Sequence, residues 1–275
     1  MTTMNRIKRF TPVQRLSHIF LMVTFLLQSA TGLGRMYMET GFGQWLCWLF
    51  GGYDATREVH IWVGIVMLGG FALHVCYLLF RVDWTNFPKS LFGPDSMLPS
   101  LADVKAFFQH VAWFFGLRRP PAFDRWGYWE KFDYWAVFWG MVIIGVTGLL
   151  LAWPIIASRI MPGWGLNVAL WIHRIEALLA MGHVFIIHFF IAHLRRHNFP
   201  MDRAMLEGSA DLDDARHERP AWIERLESEG ALSGSLVSEA VVGQRVVYYL
   251  VGFTAVAIGV FLLVGAIINA PYINL

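Results

Sequence analysis

Five stretches of the sequence are apolar over a length that can cross a lipid bilayer. A hydrocarbon core of about 30 Å requires about 20 residues of α-helix. The sequence meets this requirement near Val13–Gly34, Arg57–Phe80, Phe132–Trp153, Leu166–His193 and Val242–Ile268. Because a backbone in lipid must hydrogen-bond its own polar groups, each stretch is predicted to be a helix. The fold class is therefore predicted to be an all-α membrane protein with five transmembrane helices.

The composition agrees with this fold class. Of the 275 residues, 56% are hydrophobic and only 15% are charged, which is far from the composition of a soluble globular domain. The formal net charge of +2 is too small to indicate nucleic-acid binding. Membrane lipid is therefore an expected partner, and nucleic acid is not.

Basic residues are concentrated in alternate loops. One side of the predicted membrane has only Arg35, Arg57 and Arg159. The positive-inside rule places the N-terminus, which we interpret as a retained end, in the cytoplasm and the C-terminus, after five spans, in the periplasm. The basic side comprises Arg6, Lys8, Arg9, Arg15, Arg81, Lys89, Lys105, Arg118, Arg119, Arg125, Arg195, Arg196 and Arg203.

The pattern of the chain also predicts its domains. Residues 1–208 contain the first four spans, which are expected to form a four-helix bundle, and residues 242–275 contain the fifth. Residues 101–117 have the pattern of an amphipathic helix at the membrane interface. Residues 209–241 are polar and charge-dense, so they are predicted to be a cytoplasmic linker with a short surface helix within 211–229. No internal repeat is evident.

Two of the predicted spans each contain a pair of histidines. His60 and His74 are 14 residues apart, and His173 and His188 are 15 residues apart. At about 1.5 Å and about 100° per residue, each pair extends over roughly 21–22 Å and returns to within about 40–60° of the same helix face. Ionisable residues inside membrane helices mark functional sites.

The two pairs also match in depth. With the orientation above, His60 and His173 lie toward the periplasm, and His74 and His188 lie toward the cytoplasm. Imidazoles that face each other between helices can provide both axial ligands of a haem iron. The spacing therefore predicts two b-type haems in the bundle of the first four spans. Neither cysteine lies in a C-x-x-C-H motif, so covalent haem attachment is not expected.

Three other histidines leave the pairing of haem ligands on the cytoplasmic side undecided. His193 follows His188 by five residues, a rotation of about 140°, so it is predicted to face a different side of the helix. There it could bind a third haem together with His18, near the start of span one. Alternatively, His18 replaces His74 as the partner of His188. His183 points away from both faces, and we expect it to be structural.

Four segments resemble the cytochrome b subunits of the formate dehydrogenase gamma and b561-like type. The resemblance is specific in EKFDYWAVFWGMVIIGVTGLLLAWP (Glu130–Pro154) and in HRIEALLAMGHVFIIHFFIAHLRRHNFPMD (His173–Asp202). It is looser in RFTPVQRLSHIFLMVTFLLQSATGLG (Arg9–Gly34) and GGYDATREVH (Gly51–His60). Roughly residues 8–208 are covered, and the nearer branch is identified as the cytochromes b that accompany multihaem c-type cytochromes or periplasmic dehydrogenases.

The resemblance implies two or more b haems and a quinone site. The formate dehydrogenase pattern takes ligands from span one, span two and two places on span four. Here those positions are His18, His60, His173 and His188. The spacings of 14 and 15 residues instead resemble the cytochromes b of quinol–cytochrome c complexes. That pattern selects His60, His74, His173 and His188. Both patterns include His60, His173 and His188. The assignments of His18, His74 and His193 stay open.

The resemblance places quinone contacts near the start of span three, where Glu130 and Asp133 are predicted to hydrogen-bond a quinone or relay its protons. Glu176, one turn after His173, is a second candidate for proton relay. The implied function is electron transfer between the quinone pool and a periplasmic redox subunit, such as an iron–sulfur protein or a multihaem cytochrome c. The chain is then a subunit of a respiratory oxidoreductase complex in the bacterial inner membrane.

A different class of function is compatible with the residues alone. Membrane histidines also bind metal ions or relay protons in transporters, and a purely structural membrane anchor needs no cofactor. A transporter favours histidines that converge at the middle of the bilayer. The spacing predicts histidines toward the two surfaces, which favours the haem-binding hypothesis.

Overall fold

Long helices dominate the computed structural model, which describes residues 5–195 and 198–273. Within these residues, five helices are long and apolar enough to cross a membrane, which confirms the predicted fold class. They are Pro12–Met36, Tyr53–Arg81, Tyr128–Ala152, Gly163–Leu194 and Val242–Tyr272. Arg196, which contributed to the predicted orientation, lies outside the described residues.

Shorter elements lie between the spans. The α-helices are α1 (Pro12–Met36), α2 (Gly41–Leu49), α3 (Tyr53–Arg81), α4 (Leu101–Phe114), α5 (Tyr128–Ala152), α6 (Pro154–Ala157), α7 (Gly163–Gly182), α8 (Ala204–Glu207), α9 (Leu212–Glu218), α10 (Pro220–Ser228), α11 (Leu232–Ser235) and α12 (Val242–Asn269). The strands are β1 (Arg6–Lys8), β2 (Ser209–Asp211) and β3 (Leu236–Val237). Helix α4 lies within the amphipathic segment expected at 101–117.

The fourth span changes its winding part-way along. After α7 the helix continues as π-helix over His183–His188 and again over Phe190–Leu194. A π-helix bonds residue i to residue i+5, so it turns less per residue than an α-helix, and π-segments are frequent at functional sites. This change of winding alters which side chains of the fourth span share a face.

The chain forms two compact units, and the first contains the greater part of the spans. This membrane unit comprises Val13–Val75, Trp139–Asp202 and Val246–Leu275. Its helices approach closely at glycines. Gly70 of α3 lies directly against the ring of Phe20 in α1, and a side chain at Gly70 would occupy the same space.

A buried apolar core connects α1 and α2 with α7 and α12 inside the membrane unit. Its buried members are Leu33, Tyr37, Leu46, Met181, Phe185 and Leu262. The hydroxyl of Tyr37 donates a hydrogen bond to the carbonyl oxygen of Ala266 at 3.0 Å, which satisfies the one polar group of this core side chain. The fifth span therefore packs against the first and the fourth.

The second unit, which we call the polar unit, comprises the residues up to Pro12, Cys76–Phe138 and Arg203–Arg245. It contains an antiparallel sheet in the order β2-β1-β3. Ile7 of β1 is fully buried against Ala215, Trp222 and Ile223.

The segment 209–241 differs from the predicted linker. It forms α9, α10 and α11 together with two strands, and these elements pack on the N-terminal strand. The few apolar side chains of this charge-dense segment are enough to build a small core around Ile7. The strands have only two or three residues, too few for a recognisable alternation, so the sequence does not indicate the sheet.

Candidate functional site

Four histidines of the membrane unit form two facing pairs. His60 of α3 faces His173 of α7, with ring centres 6.2 Å apart and ring planes at 77°. His18 of α1 faces His188 of the π-helical segment, with ring centres 6.4 Å apart and ring planes at 38°. We call these the outer pair and the inner pair, after the predicted orientation.

Both separations suit a metal ion bound between the rings. An imidazole nitrogen bonds a transition metal at about 2.0–2.1 Å and lies about 1.1 Å from its ring centre, so two axial imidazoles have ring centres about 6.3 Å apart. The observed 6.2 and 6.4 Å agree with this value. The Nδ1 atom of His18 is buried and has no hydrogen-bond partner among the described residues, which is rare unless another group occupies the space. The residues present therefore fit haem iron.

A threonine orients His60. The hydroxyl of Thr31 in α1 donates to the carbonyl oxygen of Leu27 at 2.7 Å, and its oxygen lies 2.8 Å from Nδ1 of His60. Because the single hydroxyl proton is used on Leu27, the oxygen accepts from a protonated Nδ1. The other ring nitrogen, Nε2, then carries the lone pair that a metal requires. Thr31 is fully buried, so water does not compete for this hydrogen bond.

A second threonine orients His173 in the same way. The hydroxyl of Thr147 in α5 donates to the carbonyl oxygen of Ile143 at 2.7 Å and lies 3.0 Å from Nδ1 of His173. The carbonyl oxygen of Ile144 lies 3.2 Å from the same Nδ1. A carbonyl oxygen can only accept, so Nδ1 of His173 carries the proton and Nε2 is left for a metal.

Each of these threonines is followed by a glycine that lies against the histidine ring. A Cβ atom at Gly32 would lie 3.4 Å from Cε1 of His60, and one at Gly148 would lie 3.2 Å from Cε1 of His173. The sequences Thr31-Gly32-Leu33 and Thr147-Gly148-Leu149 thus repeat one arrangement in spans one and three. Sequence reasoning missed both threonines, although this repeated Thr-Gly-Leu motif was available as a signal.

A third histidine lies beside the inner pair. The predicted rotation of about 140° between His188 and His193 assumes an α-helix. This segment is instead π-helical, so residues five apart lie about one turn apart. His18, His188 and His193 consequently lie within electrostatic range of one another. The predicted rotation of about 140° therefore does not apply to this segment, because the segment is π-helical.

Two further histidines lie on the same helices. Of the two alternatives for the partner of His188, the structure shows the ring contact with His18. His74 lies half-buried in α3, and His183 begins the π-helical segment. His74 and His183 both interact with other residues. Their positions in the helices do not by themselves assign a function to either.

The predicted carboxylates fall into different environments. Glu130 belongs to the polar unit, where its carboxylate binds Arg9 and, at 2.9 Å, Arg219, and accepts from the backbone N–H of Gly127 at 2.8 Å. Burial lowers the pKa of Arg219, but the carboxylates of Glu130 and Glu218 outweigh burial and raise it. These contacts are those of a buried ion cluster, and they give no support to the expected proton relay at Glu130.

The other two predicted carboxylates are half-buried. Asp133 lies in α5, in the polar unit. Glu176 lies in α7, in the membrane unit, three residues after His173. Among the described residues, Glu176 has no salt bridge.

Comparison with protein families identifies the chain. The family model described as prokaryotic cytochrome b561 matches residues 9–208, which contain both histidine pairs and both Thr-Gly-Leu motifs. The chain belongs to the prokaryotic cytochrome b561 family. It is therefore a multi-pass inner-membrane electron-transfer protein that binds b-type haem. The finer assignment to the formate dehydrogenase gamma branch is not established by this match. A comparison with curated proteins gives no match.

Removal of a threonine hydroxyl is expected to raise the midpoint potential of a haem bound at the outer pair. An acceptor on Nδ1–H makes the imidazole a stronger donor to iron, so its loss favours the ferrous state. Thr31→Val should give a larger shift than Thr147→Val. In Thr147→Val, the carbonyl oxygen of Ile144 still accepts a hydrogen bond from Nδ1 of His173. A spectroelectrochemical titration of the purified protein measures both shifts.

The matched control is Thr24→Val. Thr24 is also a buried threonine of α1, and its hydroxyl also bonds a carbonyl oxygen one turn earlier, that of Phe20 at 2.8 Å. Thr31→Ser, which keeps the hydroxyl, should restore the original potential. An equal shift in Thr24→Val and Thr31→Val would show that the effect is general helix destabilisation.

Proposed function

We propose that this cytochrome binds two b haems, one at the outer pair and one at the inner pair, and transfers electrons across the inner membrane. The observation that carries the proposal is the presence of two facing histidine pairs at the separation that axial ligation requires. His173 and His188 are 15 residues apart, which is about 22 Å along a helix and about three-quarters of the hydrocarbon core. The two haems then form an electron path through most of the bilayer.

The observed contacts between histidine rings fit two bound haems better than three. His18 already faces His188, and one imidazole nitrogen bonds one iron. A third haem between His18 and His193 would require His188 to pair with His74, whereas the ring contact observed for His188 is with His18. We assign His193 to the surroundings of the inner haem.

The protein residues hold and orient the haem, and the haem supplies one-electron chemistry when it is bound. His60, His173, His18 and His188 hold the iron. Thr31 and Thr147 keep Nδ1 of the outer histidines protonated and Nε2 directed at the metal. The apolar core of the membrane unit contributes Met181 and Phe185, which lie between His173 and His188 along the fourth span.

We further propose that the electrons pass between the quinone pool and a periplasmic redox subunit, such as an iron–sulfur protein or a multihaem cytochrome c. Quinone chemistry requires a group that exchanges protons near a haem. Glu176 suits this role, because it is half-buried one turn after His173 and has no salt bridge among the described residues. The proposed orientation has the N-terminus in the cytoplasm and the C-terminus in the periplasm.

The test is a haem count followed by reduction with a quinol. The full chain, purified in detergent, should give about two b haems per chain in a pyridine haemochrome assay. Both haems should be reduced by menadiol or decylubiquinol under anaerobic conditions, and Glu176→Gln should slow this reduction. A protein with no haem contradicts the whole proposal. A two-haem protein that neither quinol reduces contradicts the quinone role alone.

A further inference from the structure

Two arginines lie beside the outer histidine pair. Arg35 is in the last turn of α1, and Arg174 directly follows His173 in α7. Arg35 lies four residues, about one helical turn, after Thr31, whose hydroxyl oxygen is 2.8 Å from Nδ1 of His60, and Arg174 is the residue next to His173. Two guanidinium groups, from two different helices, are therefore close to the place where the outer haem would bind.

Neither arginine has an acidic partner in the part of the chain that the structure describes. The Nε atom of Arg35 is buried and has no hydrogen-bond partner there. Its guanidinium carbon lies 6.0 Å from the ring centre of Tyr53, a cation–π contact that leaves the N–H donors of the guanidinium group in need of an acceptor. Burying a cation without an anion is costly, and proteins usually pair such groups.

Other arginines of this chain that are buried or partly buried follow that rule, and Arg35 and Arg174 are themselves partly buried. Arg6 bonds Glu207 at 2.9 Å, Arg219 bonds Glu130 at 2.9 Å, and Arg225 bonds Asp124 at 2.7 Å. Even the exposed Arg57 bonds Glu58 at 2.6 Å. Arg35 and Arg174 lack such a carboxylate partner among the described residues, and both lie beside His60 and His173. This difference points to an anion that binds there.

We propose that Arg35 and Arg174 bind the two propionate carboxylates of the outer haem. This inference rests on the proposed function, since it requires a haem between His60 and His173. A haem has two propionates on one edge, and the planar guanidinium group is suited to bind a carboxylate with two parallel N–H donors. The ligands on α3 and α7 then fix the iron, and the cations on α1 and α7 fix the direction of the propionate edge.

The two cations also set the redox properties of the outer haem. A guanidinium group that neutralises a propionate removes a negative charge near the iron, which otherwise favours the ferric state. It also keeps the propionate ionised at lower pH. Loss of the cation should lower the midpoint potential of the outer haem and make this potential depend more strongly on pH.

The test compares Arg35→Gln and Arg174→Gln with Arg57→Gln in the purified full chain. A spectroelectrochemical titration at several pH values resolves the two haems, and the His173→Ala variant identifies the outer one. The expected result is a downward shift with a steeper pH dependence for the outer haem only, in both Arg35→Gln and Arg174→Gln. The control, whose arginine pairs with an exposed glutamate, should leave both haems unchanged. Unchanged potentials in Arg35→Gln and Arg174→Gln, or a shift of the inner haem, overturn the proposal.

A second measurement covers a variant that loses its haem. If Arg35→Gln lacks the outer haem, Arg35→Lys should retain it, because the positive charge remains. Loss of both haems in Arg35→Gln, or failure of Arg35→Lys to retain the outer haem, overturns the proposal. A wild-type protein without any haem contradicts the proposed function instead, so the two failures are distinguishable.

An anionic lipid headgroup or a free anion could also bind these guanidinium groups, and reconstitution with modified haem separates these sources. Apoprotein is titrated with haem and with haem dimethyl ester, in which both carboxylates are blocked. Wild-type protein should bind the ester more weakly at the outer site, and the Arg35→Gln, Arg174→Gln double variant should bind both forms equally. Equal binding of both forms by the wild-type protein assigns the arginines to a lipid or free anion and overturns the proposal.

Discussion

His173→Ala is expected to lose the outer haem and to keep the inner one. A b-type haem is not covalently attached, so removal of one of its two axial imidazoles removes a large part of its binding energy. The alanine side chain also leaves the hydroxyl of Thr147 without its imidazole partner. The haem content measured with pyridine haemochrome should fall from about two per chain to about one, and His60→Ala should give the same result.

The same measurement decides the partner of His188. The ring contact of the structure predicts that His18→Ala loses the inner haem and that His74→Ala keeps both. His188→Ala should match His18→Ala. The control is His183→Ala, which removes an imidazole from the same π-helical segment that belongs to neither facing pair. Loss of a haem in His74→Ala, with full content in His18→Ala, would restore the pairing that the 14-residue spacing suggests.

The membrane spans could be predicted almost completely from the sequence, because length and hydropathy alone determine them. The predicted Val13–Gly34 and the observed Pro12–Met36 differ by two residues or fewer at each end. The facing of His60 and His173 followed from their equal depths, which needs only a regular rise along two antiparallel spans. These are properties that every α-helix of this length shares.

The part of the site around the inner pair could not be predicted in the same way, because it depends on a local change of winding. Rotation at about 100° per residue separates His188 from His193, and the π-helix over this segment brings both near His18. Nothing in the sequence HVFIIHFFIAHL signals a π-helix. The spacing of residues in the sequence predicts a shared helix face only where the number of residues per turn stays constant.

The small sheet and the two orienting threonines were missed for different reasons. Strand β3 has two residues, so no period can be read from it. Thr31 and Thr147 were readable as a repeated Thr-Gly-Leu motif, but their role depends on a histidine in another helix. The sequence shows that the motif occurs twice, and only the packing of the helices shows what it contacts.

Glu130→Ala is expected to destabilise the polar unit strongly. The carboxylate of Glu130 neutralises Arg9 and Arg219, and the side chains of both arginines are at least nine-tenths buried. Removing one partner of a buried ion pair leaves an uncompensated charge, which costs about 3–5 kcal/mol. The variant should become sensitive to limited proteolysis within 204–240, and its melting temperature in detergent should fall.

Glu58→Ala provides the control for this prediction. Its partner Arg57 and Glu58 itself are 39% and 56% exposed, and an ion pair of this kind is worth about 0–1 kcal/mol. The two variants also separate the two roles considered for Glu130. If the ion cluster is its role, the unit loses stability and the surviving protein is reduced by quinol at the normal rate. If proton relay is its role, stability stays near that of Glu58→Ala and the rate of quinol reduction falls.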